Sequence, residues 1–189
     1  PSPLTRQMES EGIAIHYEED LSQVPSVVDM VIYTPAIPTG HKERLYLKSK
    51  GIPCVKRAYM LGEISRSYRT IALAGTHGKT SMTSLTALLC RGKEPITAFI
   101  GGIANNFQTN WLHDSGSQTM VVEADEFDRS FLQLHPDMAV VSAMDADHLD
   151  IYGTKEAYLE SFRHYTELIQ TGGALIIHRG LEMQESLPD

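Results

Sequence analysis

Residues 71–89 read IALAGTHGKTSMTSLTALL. A short apolar, strand-like run enters Ala74-Gly75-Thr76-His77-Gly78-Lys79-Thr80-Ser81, and apolar residues at helical spacing follow. A strand, a glycine-containing turn, Gly-Lys-Thr and a helix together form a phosphate-holding loop. Glycines let backbone N–H groups converge on phosphate oxygens. The helix start adds its dipole and its free donors. Lys79 supplies a point charge for β- and γ-phosphates, and the Thr80 hydroxyl suits a Mg²⁺ ion. Gly75, Thr76, His77, Gly78, Lys79, Thr80 and Ser81 are therefore the candidate nucleotide cradle. The broad motif asks for glycine five residues before Gly78, where this chain has Leu73. His77 reads as an exposed filler, because phosphoryl transfer depends on positioning and charge stabilisation rather than on a protein base.

Outward from the loop, strands and helices alternate with short links. Upstream, residues 4–12 have helical spacing with a glycine stop. Residues 28–37 read as a buried strand, 41–51 as a short helix and 52–57 as a second strand. AYMLGEISRS reads as a connecting helix. Downstream, TAFIGG, TMVVEA, MAVVSAM and ALIIH are strand candidates. Residues 154–173 read as a helix with Thr154 as N-cap, a stripe of Tyr158, Phe162, Tyr165, Leu168 and Ile169, and a glycine stop. This alternation predicts an α/β fold of two parallel-sheet domains, Rossmann-like then P-loop-containing, both truncated. The expected boundary lies near Tyr68, giving domains 1–68 and 69–189. In such sheets ligands bind at the carboxyl ends of strands, so the residues there carry the functional reading.

Two of those ends are acidic. TMVVEADEFDRSF places Glu123, Asp125, Glu126 and Asp128 after an apolar strand. Glu123 ends the strand directly and is the expected metal ligand. For Asp125, Glu126 and Asp128 a solvated acidic loop is the favoured reading. VVSAMDADHLDIYG crowds Asp145, Asp147, His148 and Asp150 at the next strand end, and His148 between aspartates is a metal or catalytic candidate. A histidine ligand would let Mn²⁺ substitute for Mg²⁺. No Ser/His/Asp arrangement stands out.

The 189 residues carry a net charge of −8, which argues against nucleic acid as a partner. No apolar run approaches a membrane span, so no membrane partner is expected. Cys54 and Cys90 have neither metal-ligand nor disulfide-framework spacing and read as reduced thiols of a cytoplasmic protein. The chain opens on Pro1 rather than Met and stops soon after ALIIH, which gives the expectation of a fragment.

Taken together, AGTHGKTS, VVEADEFDRSF and DADHLDIYG strongly resemble the Mur ligases, ATP-dependent amide-bond-forming enzymes of peptidoglycan precursor synthesis. Upstream, YTPAI and GIPCVKRAYMLGEI resemble that family's run into its central domain. The boxes look most like those of the members that join L-alanine to UDP-N-acetylmuramate. The resemblance implies that the sugar carboxylate attacks the γ-phosphate of ATP, and that the amine of L-alanine then displaces phosphate from the acyl phosphate. It implies that Lys79 stabilises the transferring phosphoryl group, that Thr80 and Glu123 hold Mg²⁺, and that His148 helps hold a second metal. It places Thr34 and Arg57 near the UDP-sugar, with Asn105 and Asn106 as weaker candidates.

The chain departs from the family pattern in places. The glycine loop that cradles the UDP pyrophosphate and the C-terminal domain are absent from it. Ser142-Ala143 stands where the family has Thr-Asn, and Phe162 where several later-step members carry a carbamylated lysine. Phe162 fits the L-alanine ligases and a murein tripeptide-recycling relative alike, and DHLDIYG favours the L-alanine ligases over that relative. A non-catalytic nucleotide-binding protein is the alternative from another class. Lys79, Thr80, Glu123 and His148 all being intact argues against it.

Overall fold

The structure, a computed structural model, describes residues 1–181. Its contacts divide the chain into two compact units, Pro1–Arg57 and Ala58–Asp189. By contacts, nearly all of the connecting helix belongs with the second unit.

The first unit holds α1 (Pro3–Ser10), a 3-10 turn at Leu21–Gln23, β1 (Val31–Tyr33), α2 (Lys42–Ser49) and β2 (Cys54–Lys56). Ser2 caps α1 by accepting the Thr5 N–H at 3.1 Å. β1 and β2 pair in parallel, with Val31 opposite Cys54 and Tyr33 opposite Lys56. No side chain of residues 1–57 is fully buried. Two three-residue strands supply little apolar surface, and small sheets of this kind are marginal on their own.

The second unit begins with α3 (Arg57–Ser65), whose side chains fasten it to the sheet. The Ser65 hydroxyl accepts from the His135 N–H at 3.1 Å, and the Thr70 hydroxyl donates to the Ser65 carbonyl at 2.9 Å. A Cβ at Gly62 would collide with the Gln133 carbonyl, so only glycine allows that approach.

There follow β3 (Arg69–Ala74), α4 (Lys79–Arg91), β4 (Ile96–Ala104), β5 (Thr109–His113), β6 (Thr119–Glu123), a 3-10 segment at Phe127–Gln133, β7 (Met138–Val141), α5 (Leu149–Tyr152), α6 (Lys155–Glu167) and β8 (Ala174–Ile177). The strands form one sheet in the order β5-β4-β6-β3-β7-β8. Every neighbouring pair is parallel except β4–β5.

Both faces of this sheet are covered, which explains its nearly continuous apolar strands. Ala72, Ala74, Met120 and Val122 point to one face, where they meet Phe131, Tyr158, Phe162 and Tyr165. Leu73, Val121, Ile96 and Ala98 point to the other, where they meet Ala87 of α4. The helical stripe expected at Tyr158, Phe162 and Tyr165 is therefore the core of one layer.

Three details differ from the sequence reading. Strand β5 was not expected: TNWLH is mixed in polarity and is held only as the antiparallel partner of β4. β4 also runs past the expected TAFIGG to Ala104, and its register with β5 shifts between Phe99 and Ala104. Helix α6 ends at Glu167 rather than near Gly173. The Gln170 N–H turns instead to the Pro136 carbonyl at 2.9 Å, and the Ala174 N–H to Asp137 at 2.9 Å, so tertiary hydrogen bonds pull the chain into β8.

Phe162 is fully buried and packs edge-on against Phe131 at 5.2 Å. Phe162→Ala is expected to lower the free energy of unfolding by ~3–5 kcal/mol, measured by urea denaturation.

Candidate functional site

The strand order reverses around β3. The chain leaves β3 for α4 and β4, returns through β6 on one side of β3, then crosses to β7 on the other. The loops after β3, β6 and β7 thus share the carboxyl edge of the sheet, at a topological switch point.

The loop after β3 is shaped by two glycines. Gly75 has φ +139° and Gly78 φ +79°, both in the region that disfavours side chains. A Cβ on Gly75 would also strike the Ser142 hydroxyl. Ser142 and Ala143 clamp the loop to β7. The Ser142 hydroxyl donates to the His77 carbonyl at 3.0 Å, and the Ala143 carbonyl accepts from the Thr76 N–H at 3.1 Å. Gly78 caps α4 with no side-chain hydrogen bond, so the first-turn N–H groups of α4, from Lys79 to Ser81, stay available for an anion.

Lys79 reaches back over its own loop. Its ammonium donates to the Gly75 carbonyl at 3.0 Å and to Glu126 Oε1 at 2.9 Å. The Thr80 hydroxyl lies 3.2 Å from Glu123 Oε1. Glu123 Oε2 accepts the Gly101 N–H at 2.7 Å, and a Cβ on Gly101 would collide with this carboxylate. The close approach of β4 to the Glu123 side chain therefore requires glycine. A hydroxyl and a carboxylate side by side, at a helix N-terminus and beside an ammonium, are the hard oxygen donors that suit Mg²⁺ on a nucleotide phosphate.

The other acids of the loop after β6 behave differently from one another. Asp125 is exposed and accepts the Phe127 N–H at 3.1 Å, and Asp128 accepts from the Ser130 hydroxyl. Glu126 overturns the expectation of a solvated loop: it is 0% exposed. Its position two residues after the buried Ala124 sends it inward, towards Lys79. Spacing alone gave no sign of this, since Asp125 and Glu126 are adjacent carboxylates of similar type.

His148 adopts a left-handed backbone, φ +53°, at the start of α5. Its ring packs edge-on against Phe127 at 5.2 Å and lies 3.8 Å from an Asp147 oxygen. Among the described residues no three His, Cys, Asp or Glu side chains gather closely enough to hold a metal ion by themselves. His77 is exposed and lies 3.8 Å from Asp145. Asn106 accepts from the Ser84 hydroxyl at 2.6 Å, and the Asn105 carbonyl accepts from Gln108 at 2.6 Å, both in the β4–β5 turn. Thr34 and Arg57 directly follow β1 and β2, whose last paired residues are Tyr33 and Lys56. They are therefore neighbours at the carboxyl edge of the first unit's sheet.

The aromatic stripe of α6 also serves this edge. The Tyr158 hydroxyl and the Thr76 hydroxyl share a hydrogen bond of 2.9 Å, and Thr76 donates to the Asp145 carbonyl at 2.9 Å. Tyr152 donates to the Glu126 carbonyl at 2.6 Å, and Tyr165 to the Ala72 carbonyl at 2.9 Å. Burial pushes the Tyr158 hydroxyl up to about 12, partly offset by Thr76, and raises Tyr152 and Tyr165 as well. A helical aromatic stripe signals a core; that its hydroxyls tie the loop and β3 was not visible in it.

Comparison with known proteins agrees with this arrangement. Residues 73–187 match the Mur ligase middle domain, and residues 1–69 match the family described as Mur ligase family, catalytic domain. The chain is 49% identical to the UDP-N-acetylmuramate–L-alanine ligase of Phocaeicola vulgatus, over 99% of this chain and 42% of that protein. It is 47% identical to the enzyme of the same name from Porphyromonas gingivalis, with the same coverage. The chain thus spans less than half the length of the curated relatives it matches. Among solved structures, UDP-N-acetylmuramate-alanine ligase from Thermotoga maritima superposes with a TM-score of 0.80 at 24% identity, over 98% of this chain and 43% of that one. The UDP-N-acetylmuramate:L-alanyl-gamma-D-glutamyl-meso-diaminopimelate ligase from Neisseria meningitides superposes with a TM-score of 0.85 at 23% identity, over 97% and 62%. These two likenesses show the fold.

The Lys79 and Glu126 side chains are 15% and 1% exposed, so removing one strands the other. Lys79→Met is expected to cost ~3–5 kcal/mol of stability in urea unfolding, and adding Glu126→Gln to recover part of it, because no buried charge then lacks a partner. A raised tyrosine pKa stabilises the fold fully below the ordinary value near 10, and that contribution is lost as pH climbs through the folded value. Unfolding free energy should therefore fall between pH 10 and about 12, and fall less steeply in Tyr158→Phe.

Proposed function

The chain belongs to the Mur ligase family, and on that premise we propose that the protein carrying it is an ATP-dependent ligase joining L-alanine to UDP-N-acetylmuramate in the cytoplasm. The observation that carries the reading is the Lys79, Thr80 and Glu123 constellation at the sheet's switch point, with Thr80 and Glu123 3.2 Å apart. It stands in a chain 49% identical to an enzyme of that name. The use of ATP is supported by a structural neighbour, a MurF ligase from Thermotoga maritima in complex with ADP, at a TM-score of 0.58.

The chemistry needs no protein nucleophile. The lactyl carboxylate of the sugar attacks the γ-phosphorus, the bond to the β-phosphate oxygen breaks, and ADP leaves. The amine of L-alanine then attacks the acyl carbon, loses its proton, and phosphate leaves. The work of the protein is to neutralise charge and hold the reacting atoms in line. First-turn N–H groups of α4 bind phosphate oxygens. Lys79 stabilises charge on the transferring phosphoryl group. Thr80 and Glu123 would hold Mg²⁺, which supplies further charge neutralisation when bound. His148 is the candidate for a second metal, on which Mn²⁺ could substitute. Thr34 and Arg57, and more weakly Asn105 and Asn106, are assigned to the sugar nucleotide.

The test is phosphate release by the whole protein with Mg-ATP, UDP-N-acetylmuramate and L-alanine. Release that requires both acceptors is expected, and Lys79→Ala should lower kcat by about 10³-fold or more. Release only when a murein tripeptide replaces L-alanine would move the protein to a recycling reaction. ATP binding without acceptor-dependent release would leave a non-catalytic nucleotide-binding protein.

A further inference from the structure

Glu126 is the one acidic residue that is buried among the described residues, and one of its oxygens is unused. Oε1 accepts from Lys79 at 2.9 Å, whereas Oε2 is buried with no hydrogen-bond partner. A buried ion pair is a poor stabilising device, because desolvation of both charges offsets their attraction, and an apolar pair of the same volume serves as well or better. A half-satisfied carboxylate is poorer still. The fold nonetheless anchors this residue firmly. Its carbonyl accepts from Tyr152 at 2.6 Å and from the Arg129 N–H at 2.9 Å. The Arg129 guanidinium in turn lies over the Tyr152 ring at 5.2 Å.

What this arrangement does control is the ammonium of Lys79. A lysine has four flexible bonds and three equivalent donors. Two of those donors are fixed here, one on the Gly75 carbonyl and one on Glu126. Tetrahedral geometry then leaves one N–H in one direction. We infer that Glu126 is a positioning residue: it holds Lys79 so that its third N–H is delivered to the transferring phosphoryl group. This rests on the ligase reading above and deepens it. Glu126 touches neither nucleotide nor acceptor and acts only through Lys79.

The test is a double-mutant cycle in the whole protein, crossing Glu126→Ala and Glu126→Gln with Lys79→Met, and reading kcat, KM for L-alanine, the Kd for Mg-ATP and the melting temperature. A misplacement of about 1 Å costs on the order of 10²-fold, so Glu126→Ala should lower kcat by about that much with KM for L-alanine within about twofold. Glu126→Gln keeps an acceptor for Lys79 and should be about tenfold below wild type and about tenfold above Ala. In the Lys79→Met background either change should cost less than about twofold further, since there is no ammonium left to place. If Glu126→Ala does not fold, Glu126→Gln carries the cycle alone. Effects that multiply across the two sites would overturn the proposal, as would a Gln variant within twofold of wild type or no better than Ala. If the wild-type protein binds Mg-ATP but turns over no acceptor, the ligase reading fails separately. The cycle is then read on Kd, with Glu126→Ala weakening binding about fivefold beside Lys79 and less than twofold beside Met.

Discussion

The hydrogen-bond ladders on both sides of β3 set the remaining geometry. β3 pairs in parallel with β6 from Arg69 to Leu73 and with β7 from Ile71 to Ala74. A parallel strand flanked by parallel strands has every carboxyl end at one edge. Chain continuity then forces the exits of β3, β6 and β7 to meet there. The ladder even continues past the strands: the Ala124 N–H reaches the Leu73 carbonyl at 2.9 Å, and the Ser142 N–H reaches Ala74 at 3.2 Å. The phosphate loop is therefore held on both flanks before any of its own side chains act.

Within that frame, close approach of backbone to side chain is the recurring device. Gly75 lets the loop lie against Ser142, Gly101 lets β4 lie against the carboxylate of Glu123, and the loop after β6 turns Glu126 under Lys79. Each removes volume or adds charge where the other elements leave none to spare. The interior is close-packed, so the donors of the site are fixed to within the tolerance of packing rather than of a flexible loop.

The aromatic layer links stability to the site. Tyr158, Phe162 and Tyr165 are fully buried, with Tyr165 stacked on Phe131, Phe162 edge-on to Phe131 and Tyr158 edge-on to Tyr152. Buried tyrosines need a partner for the hydroxyl, and here the partners are Thr76 of the phosphate loop and the Ala72 carbonyl of β3. The same side chains that supply apolar burial thus pin the loop and the central strand, which ties the order of the site to the integrity of one face of the core.

The local pattern of the sequence determined a great deal. Apolar runs bounded by glycine, proline or acidic residues placed β3, β6, β7 and β8, the Gly-Lys-Thr box placed the start of α4, and Thr154 placed the start of α6, because these signals act within a few residues of themselves. The parallel α/β architecture followed from their alternation, and three motifs in order were enough to place the chain among the Mur ligases. Only the tertiary structure decided the rest. The strand TNWLH exists because β4 offers it an edge. Beyond Glu167 the chain turns from α6 into β8 because the Pro136 and Asp137 carbonyls take the Gln170 and Ala174 N–H groups. Ser142-Ala143 became the clamp of the phosphate loop. Glu126 was separated from its acidic neighbours because it alone turns inward onto Lys79. For α6, Ser142-Ala143 and Glu126 the deciding partner lies far away in sequence, and burial and hydrogen bonding across that distance leave no local trace to read.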